Sequence, residues 1–321
     1  GGECMDWDQR CIRFCAGLVL SAMALRLCAD GALLALTKPE AASFLLYLHT
    51  GRIVRAAPAE EWTLPAPSEP EPQTPLAFSP EDAAALSIDN GTSLRPDVGA
   101  LLAAPLELEL RGDEPRVLIL HSHTTESYAQ TADRYEETSP YRTLDPGHNM
   151  LALGEIVADI LEEAGIGVIH DTTFHDYPSY NGSYTHAAQS TGAILEEYPS
   201  IQLILDLHRD AADTAAGQMV TACELEGKKS AQLMFVLGTD ERLKHPDWER
   251  NLSLALKLQS LLEGEHPGIC RSLNLTRNRY NQHLGNLALL VEIGAAGNTL
   301  EQAKLAAREL GEAIVKLAGE Q

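Results

Sequence analysis

The sequence is poor in aromatic residues and in positive charge. Phe, Trp and Tyr make up 5% of the 321 residues, too few for a stacking platform that binds single-stranded nucleic acid or many sugars. Lys and Arg number 24 against 46 Asp and Glu, a net charge of −22. This balance argues against nucleic acid as a partner, because phosphate binding requires a basic face. The apolar fraction of 45% is nevertheless that of a folded chain.

Several common functional motifs are also missing. The sequence contains no C-x-x-C pair, which argues against a zinc ribbon or a thioredoxin-type redox site. It has no G-x-G-x-x-G, no Walker loop, no G-x-S-x-G and no H-E-x-x-H. A function for this chain therefore has to come from a less common arrangement of side chains.

Residues 1–56 differ from the rest in charge, with six Lys or Arg and five Asp or Glu. Within this segment the apolar run 14–25 follows two arginines, Arg10 and Arg13. A clean run of twelve residues is shorter than the roughly 20 of an ordinary membrane helix. We predict a membrane anchor in 1–56; a cleaved export signal and a buried helix are the alternatives.

Residues 57–84 are predicted to form a linker, since seven prolines occur from Ala57 to Pro80 among Glu, Ala, Ser and Thr. An anchor followed by such a spacer indicates a domain held off a membrane surface, outside the cytoplasm. The remaining residues, 85–321, are predicted to form one catalytic α/β domain.

Short apolar runs alternate with helical patterns from Arg116 onward. The predicted strands are 117–120, 168–169, 201–207, 231–238 and 287–293, and the predicted helices are 150–164, 187–198, 248–263 and 299–318. This alternation is typical of an open, mostly parallel sheet with helices on both faces. Ligands of such sheets bind beyond the carboxyl ends of the strands.

Three of the predicted strands end in histidine or glutamate. The first leads into His121, His123 and Glu126, the third ends at His208, and the last carries Glu292. Two histidines and one carboxylate suit a catalytic zinc ion, which takes three protein ligands and a water. His123, Glu126 and His208 are the predicted ligands, with His121 competing with His123. Glu292 would then be free to act as a general base.

Other polar residues are weaker candidates. Arg209 or Arg279 could stabilise a tetrahedral oxyanion. Further donors to a metal are Asp145, His148, His175 and His283. Six tyrosines cluster between positions 128 and 184, where they either line a cleft or pack long loops.

Five ordered motifs resemble the stage II sporulation protein P family. They are V-L-I-L-H-S-H-T-T-E-S-Y (117–128), H-D-Y-P-S-Y-N-G-S-Y (175–184), L-D-L-H-R-D-A (205–211), R-Y-N-Q-H-L (279–284) and L-V-E-I-G (290–294). The resemblance covers about 85–320, and the anchor and spacer fit it as well. It implies a fold similar to that of the zinc N-acetylmuramoyl-L-alanine amidases. It also implies amidase and endopeptidase activity on peptidoglycan during engulfment in sporulation, alongside stage II sporulation proteins D, a lytic transglycosylase, and M, a membrane protein.

The resemblance also implies roles for individual residues. His123 and His208 match the essential histidines, and Glu292 matches the essential glutamate. The amidases take a further ligand from a glutamate after the first strand; here 145–150 reads D-P-G-H-N-M, so Glu126 is the predicted ligand. Asp145 and His148 are the alternative candidates for this ligand. The residues predicted to bind substrate are Tyr184, Asn281 and Gln282. The sequence departs from the family at 284–287, where a Ser-Pro-Gly turn would be expected.

Two other functions fit parts of the pattern. His-x-x-Glu followed by a later His and a later Glu is also the pattern of zinc carboxypeptidases, in which case Arg279 would bind the carboxylate of a peptide substrate. A non-catalytic scaffold that binds a septal complex is the other alternative.

Overall fold

The computed structural model describes residues 76–112, 114–214 and 217–319. The predicted anchor over 1–56 and most of the predicted linker over 57–84 lie outside these residues. Inside the described ranges, no helix combines the length and the apolar character needed to span a membrane.

A seven-stranded sheet organises the described chain. The strands in chain order are β1 (Ile88–Asn90), β2 (Val117–Leu120), β3 (Val168–His170), β4 (Leu203–Asp210), β5 (Asp213–Thr214), β6 (Gly217–Gln218), β7 (Ala222–Leu225), β8 (Lys228–Ala231), β9 (Leu233–Gly238), β10 (Leu273–Thr276) and β11 (Leu287–Ala295). The sheet order is β1-β10-β9-β11-β4-β2-β3, while β5 with β6 and β7 with β8 form two small hairpins. Only the β9–β11 pair within this sheet is antiparallel, which confirms the predicted mostly parallel α/β fold.

Within the part of the chain that the structure describes, five α-helices and one 3₁₀ helix accompany the sheet. The α-helices are α1 (Val98–Ala103), α2 (Met150–Glu163), α3 (Ser183–Glu197), α4 (Trp248–Glu265) and α5 (Leu300–Ala318), and the 3₁₀ helix is Pro80–Ala85. The longest, α5, begins at a capping box in which Thr299 accepts from the Gln302 backbone and the Gln302 side chain accepts from the Thr299 backbone. Ahead of the 3₁₀ helix, Leu76 and Phe78 already pack against the core.

The two faces of the sheet are covered unequally. Side chains alternate between the faces along each strand, so Val117 and Ile119 of β2 point one way and Leu118 and Leu120 the other. The first set joins the main core with α2, α4 and α5, and we call this the closed face. The second set packs under α3 alone, together with Ile204 of β4.

Beyond α3 this second face, which we call the open face, carries only a small apolar cluster. It consists of Met234 and Val236 of β9 and Leu290 of β11, with Tyr280 packed against it. No helix covers this part of the open face within the described residues. The result is a cleft over the middle of the sheet.

Candidate metal centre

The carboxyl ends of β2, β4 and β11 meet at one edge of the cleft. His208 lies on β4 and Glu292 on β11, directly opposite each other in the parallel register. The chain leaving β2 turns at once, and the backbone N–H of Glu126 donates to the carbonyl of His123 at 3.1 Å. This turn carries His123 and Glu126 to the same edge.

Three buried side chains form a compact donor group there. The His123 Nδ1 atom lies 3.3 Å from Glu126 Oε1, and the His208 Nδ1 atom lies 3.6 Å from Glu126 Oε2. One ligand atom from each residue falls within 4.8 Å of the others. Two imidazole nitrogens and one carboxylate match the protein ligands of a catalytic zinc site. The residues present therefore fit a metal ion.

The Glu126 carboxylate is surrounded by hydrogen-bond donors that favour its charged form. Arg142 donates from Nη2 to Oε1 at 3.3 Å, and the Arg209 backbone N–H donates to Oε2 at 3.2 Å. Burial alone would raise the pKa of Glu126, but hydrogen bonds from His123 and His208 and the charge of Arg209 hold that pKa well below its usual range. An ionised carboxylate is the form that binds a cation.

Asp206 orients the ring of His208 from the opposite side. Its Oδ1 atom lies 2.8 Å from His208 Nε2 and accepts a hydrogen bond from the backbone N–H of Ser122, also at 2.8 Å. The Ser122 hydroxyl donates to Oδ2 at 2.6 Å. With Nε2 facing Asp206, Nδ1 is the nitrogen that faces Glu126. A carboxylate behind a ligating histidine is the usual support in metal sites.

Glu292 stands in the same cavity without a partner for one of its oxygens. Its buried Oε2 atom makes no hydrogen bond. Burial raises the pKa of the Glu292 carboxyl to about 8, and the nearby Glu126 carboxylate acts in the same direction. A buried carboxyl with a raised pKa beside a candidate metal group has the properties of a proton carrier.

The donor group opens into the cleft, a cavity of about 820 Å³. Tyr184, a predicted substrate contact, lies in its wall, and the His123 ring stacks on Tyr180 at 4.7 Å between centroids. The cavity is lined by all three donor residues, Glu292, Arg209 and the open-face residues Met234, Val236 and Leu290. The same cavity is also lined by Asp89, Asp210, Arg271, Ser272 and Asn274.

His121, the competing ligand, lies on the other side of the sheet. It continues the alternation of Val117 and Ile119, so its side chain enters the closed face. Its Nδ1 atom is 3.1 Å from the Leu207 carbonyl, and its Nε2 atom is 2.9 Å from His170 Nε2. A Cβ at Gly154 of α2 would lie 2.6 Å from His121 Nε2, so glycine is required there. The structure thus removes His121 from the candidate ligands.

The alternative candidates for the carboxylate ligand also lie outside the donor group. His148 contacts Asp145 Oδ2 at 2.9 Å through Nδ1 and Asp133 Oδ2 at 3.0 Å through Nε2. Both of its ring nitrogens are therefore engaged by carboxylates away from His123 and His208. Glu126 remains the carboxylate ligand that the geometry supports.

The two predicted oxyanion arginines have different surroundings. Arg209 lines the cleft, but its Nε and Nη2 atoms donate to the carbonyls of Ser127 and Tyr141, both at 3.0 Å. It therefore braces the loops around Glu126. Arg279 is not among the cavity residues and donates from Nη1 to the Lys244 carbonyl at 2.5 Å. The structure thus corrects the prediction that Arg279 acts in the site.

Asn281 and Gln282 support the cleft from outside its lining. Asn281 donates from Nδ2 to the carbonyl of Tyr184 at 2.7 Å. Gln282 is buried against β9, where it accepts from the Gly238 N–H and donates to the Val236 carbonyl, both at 2.7 Å. Their amides are used in folding, so the structure corrects the prediction that both bind substrate directly.

Three residues around the site were not predicted from the sequence. Asp206 shares a strand face with His208, and the period of two would have indicated it. Arg142 and Arg271 come from loops with no local pattern, and only the tertiary structure brings Arg142 to Glu126 and Arg271 to the cleft.

The fold and the site define an α/β protein with a candidate two-histidine, one-glutamate metal centre at the carboxyl edge of its sheet. The chain belongs to the family described as Stage II sporulation protein P (SpoIIP), whose sequence profile matches residues 65–315.

A curated relative and two solved structures show how far the similarity extends. The chain is 30% identical over 209 residues to Stage II sporulation protein P of Bacillus subtilis (strain 168), covering 61% of this chain and about half, 49%, of that relative. It is also similar to the N-acetylmuramoyl-L-alanine amidase AmiC2 of Nostoc punctiforme, with TM-score 0.39 and 15% identity over 65% of this chain and 98% of the other. The chain is also similar to the catalytic domain of the amidase CwlV from Bacillus (Paenibacillus) polymyxa. The TM-score is 0.39 and the identity 11%, over 64% of this chain and 99% of the other.

Proposed function

We propose that the protein is a zinc-dependent peptidoglycan hydrolase, an N-acetylmuramoyl-L-alanine amidase that also acts as an endopeptidase on cross-linked stem peptides. The observation that carries this proposal is the buried His123–Glu126–His208 group facing the unpartnered Glu292 carboxyl in an open cleft. Membership of the sporulation family supports the same conclusion.

His123, Glu126 and His208 would hold the zinc ion. When bound, zinc supplies a Lewis acid for the scissile carbonyl and lowers the pKa of water toward neutrality. Asp206 keeps His208 Nδ1 turned to the metal side, and Arg142 and the Arg209 backbone N–H hold the Glu126 carboxylate in place. These contacts preorganise the ligands before substrate arrives, which limits the reorganisation needed during the reaction.

Glu292 moves the proton in this proposal. Its carboxylate takes a proton from the attacking water and delivers it to the leaving amide nitrogen, so one group serves as base and then as acid. With a pKa raised to about 8, the ionised carboxylate is a stronger base than an exposed glutamate, and it retains the transferred proton more readily until the proton passes to the leaving nitrogen. Tyr184 and Tyr180 would flank the substrate above His123.

The setting of the reaction rests on the family and on the N-terminal sequence. We propose that residues 1–56 anchor the chain in a membrane and that 57–84 space the hydrolase from it, on the extracytoplasmic side at the sporulation septum. The substrate there is septal peptidoglycan during engulfment. The proposed protein partners are stage II sporulation proteins D and M.

A zinc carboxypeptidase has less support. Its substrate carboxylate was assigned to Arg279, which does not line the cleft. Product analysis still distinguishes the two enzymes. Free muramic acid termini and released stem peptides indicate the amidase, whereas single C-terminal amino acids indicate the carboxypeptidase.

The test combines metal content with mass spectrometry of digested peptidoglycan. We expect Glu292→Gln to lower the hydrolysis rate by roughly 10²- to 10⁴-fold while zinc stays bound, because the variant keeps the ligands and loses the proton carrier. Glu162→Gln, on the exposed side of α2, is the matched control and should leave the rate unchanged. Full activity of Glu292→Gln would contradict the mechanism.

A further inference from the structure

A second arginine in the cleft has no role in the proposed mechanism. We propose that Arg271 binds a carboxylate of the substrate peptide, one or two residues beyond the scissile amide. This inference rests on the proposed function and specifies which stem peptides the site accepts.

Asp210 places Arg271 close to the donor group. Asp210 follows His208 by two residues on β4, which puts their Cα atoms about 7 Å apart along the strand. The Asp210 Oδ2 atom accepts from Arg271 Nη1 at 2.7 Å. Both side chains line the same cavity as His208 and Glu292. A group bound by Arg271 would thus lie within one or two peptide units of the reacting amide.

Arg271 keeps donors available that Arg209 does not. A guanidinium has five N–H donors. Arg209 is 4% exposed, and its Nε and Nη2 atoms donate to backbone carbonyls. Arg271 is 24% exposed, and its one guanidinium hydrogen bond within the described ranges goes to Asp210. Asp210 therefore fixes the guanidinium while leaving most of its donors to a ligand.

The ligand chemistry follows from the guanidinium. Its planar fork matches a carboxylate through two parallel hydrogen bonds. Arg209, the other arginine in the cleft lining, donates to backbone carbonyls, so Arg271 is the arginine left to face an anionic substrate group. In muramyl peptides the residue after L-alanine is a γ-linked D-glutamate, whose α-carboxyl is either free or amidated. That carboxyl lies one residue beyond the amide bond of L-alanine, which is within the one or two peptide units inferred for a group bound by Arg271.

The test compares two muramyl peptides that differ only at this group, one with a free α-carboxyl and one with the carboxamide. The zinc-loaded full chain should prefer the acid. Arg271→Gln should lower kcat/KM for the acid about 10- to 100-fold, mainly through KM, and change the amide less than 3-fold. Arg308→Gln, on the exposed side of α5, is the matched control and should change neither.

Each other outcome has a defined meaning. An equal loss of Arg271→Gln on both peptides would show a structural role and overturn the inference, with the proposed function intact. A wild-type protein that cleaves neither peptide would overturn the proposed function and this inference with it. If Arg271→Gln does not fold, Arg271→Lys keeps the charge but loses the fork, and it should weaken cleavage of the acid several-fold while sparing the amide.

Discussion

The two faces of the sheet share one set of strands but have opposite roles. The closed face lies under α2, α4 and α5, and its histidine, His121, is fully buried and bonded to His170. The open face lies under α3 and then opens into the cleft, where His208 meets His123 and Glu126. The comparison shows that helix coverage decides whether a polar residue at a strand end becomes part of the core or part of the site.

The largest effect should come from removing an open-face ligand. His208→Ala should abolish stoichiometric zinc binding and lower the rate of peptidoglycan hydrolysis by roughly 1,000-fold or more, because the metal lowers the activation free energy by several kcal/mol. His148→Ala removes a histidine outside the group and should leave both unchanged. Metal analysis and a digestion assay on the three proteins check this. Retained zinc in His208→Ala would break the assignment of the ligands.

Adjacent leucines of β11 test the two faces directly. Leu289 belongs to the closed core and Leu290 to the open-face cluster, although both are almost fully buried. Leu289→Ala should cost about 3–5 kcal/mol of unfolding free energy, and Leu290→Ala about 1–2 kcal/mol, since the cleft lets water or neighbours fill the space. Denaturant unfolding measures both. Equal losses would mean that the open face is packed as tightly as the closed one.

Asp206 offers a smaller effect on the metal itself. Asp206→Ala should weaken zinc binding about 10- to 100-fold, because the His208 ring loses the carboxylate that orients it. Asp206→Asn keeps an oxygen that can accept from His208 and should lose less. A zinc competition titration with a chelator compares the three proteins. Unchanged affinity in Asp206→Ala would show that β4 alone fixes the ring.

The smallest predicted effect is the acid sensitivity of the closed face. Burial, aided by His170, lowers the pKa of His121 to about 3, whereas the unfolded chain titrates near 6.5. Between these values the unfolded state binds the extra proton, so the contribution of His121 to stability is complete above pH 6.5 and declines as pH falls. The decline is about 1.4 kcal/mol per pH unit.

This decline can be measured against a variant that does not titrate. Between pH 7.5 and pH 5.5, the unfolding free energy of the metal-free wild type should fall by about 1.4 kcal/mol relative to that of His121→Gln. A constant difference would mean that the pKa of His121 is not lowered in the folded protein.

Much of the fold was predictable because each element carries its own signal. The Met150 helix start, the 287–293 strand and the closing helix before Ala318 all agree with the structure to within a few residues. The antiparallel β9–β11 pairing, the edge strand β1 and its neighbour β10 were not predicted. β1 and β10 are short, and all of these pairings depend on partners far away in the sequence.

The sequence alone determined the strand ends that carry His123, His208 and Glu292, because buried apolar runs that stop at polar residues indicate the functional edge of an α/β sheet. It could not decide between His121 and His123, since that choice depends on where β2 stops alternating and the turn begins. Nor could it place Arg271 in the cleft and Arg279 outside it. Those positions follow from long-range pairing: the Asp210–Arg271 contact joins residues 61 positions apart, and no local pattern records such a contact.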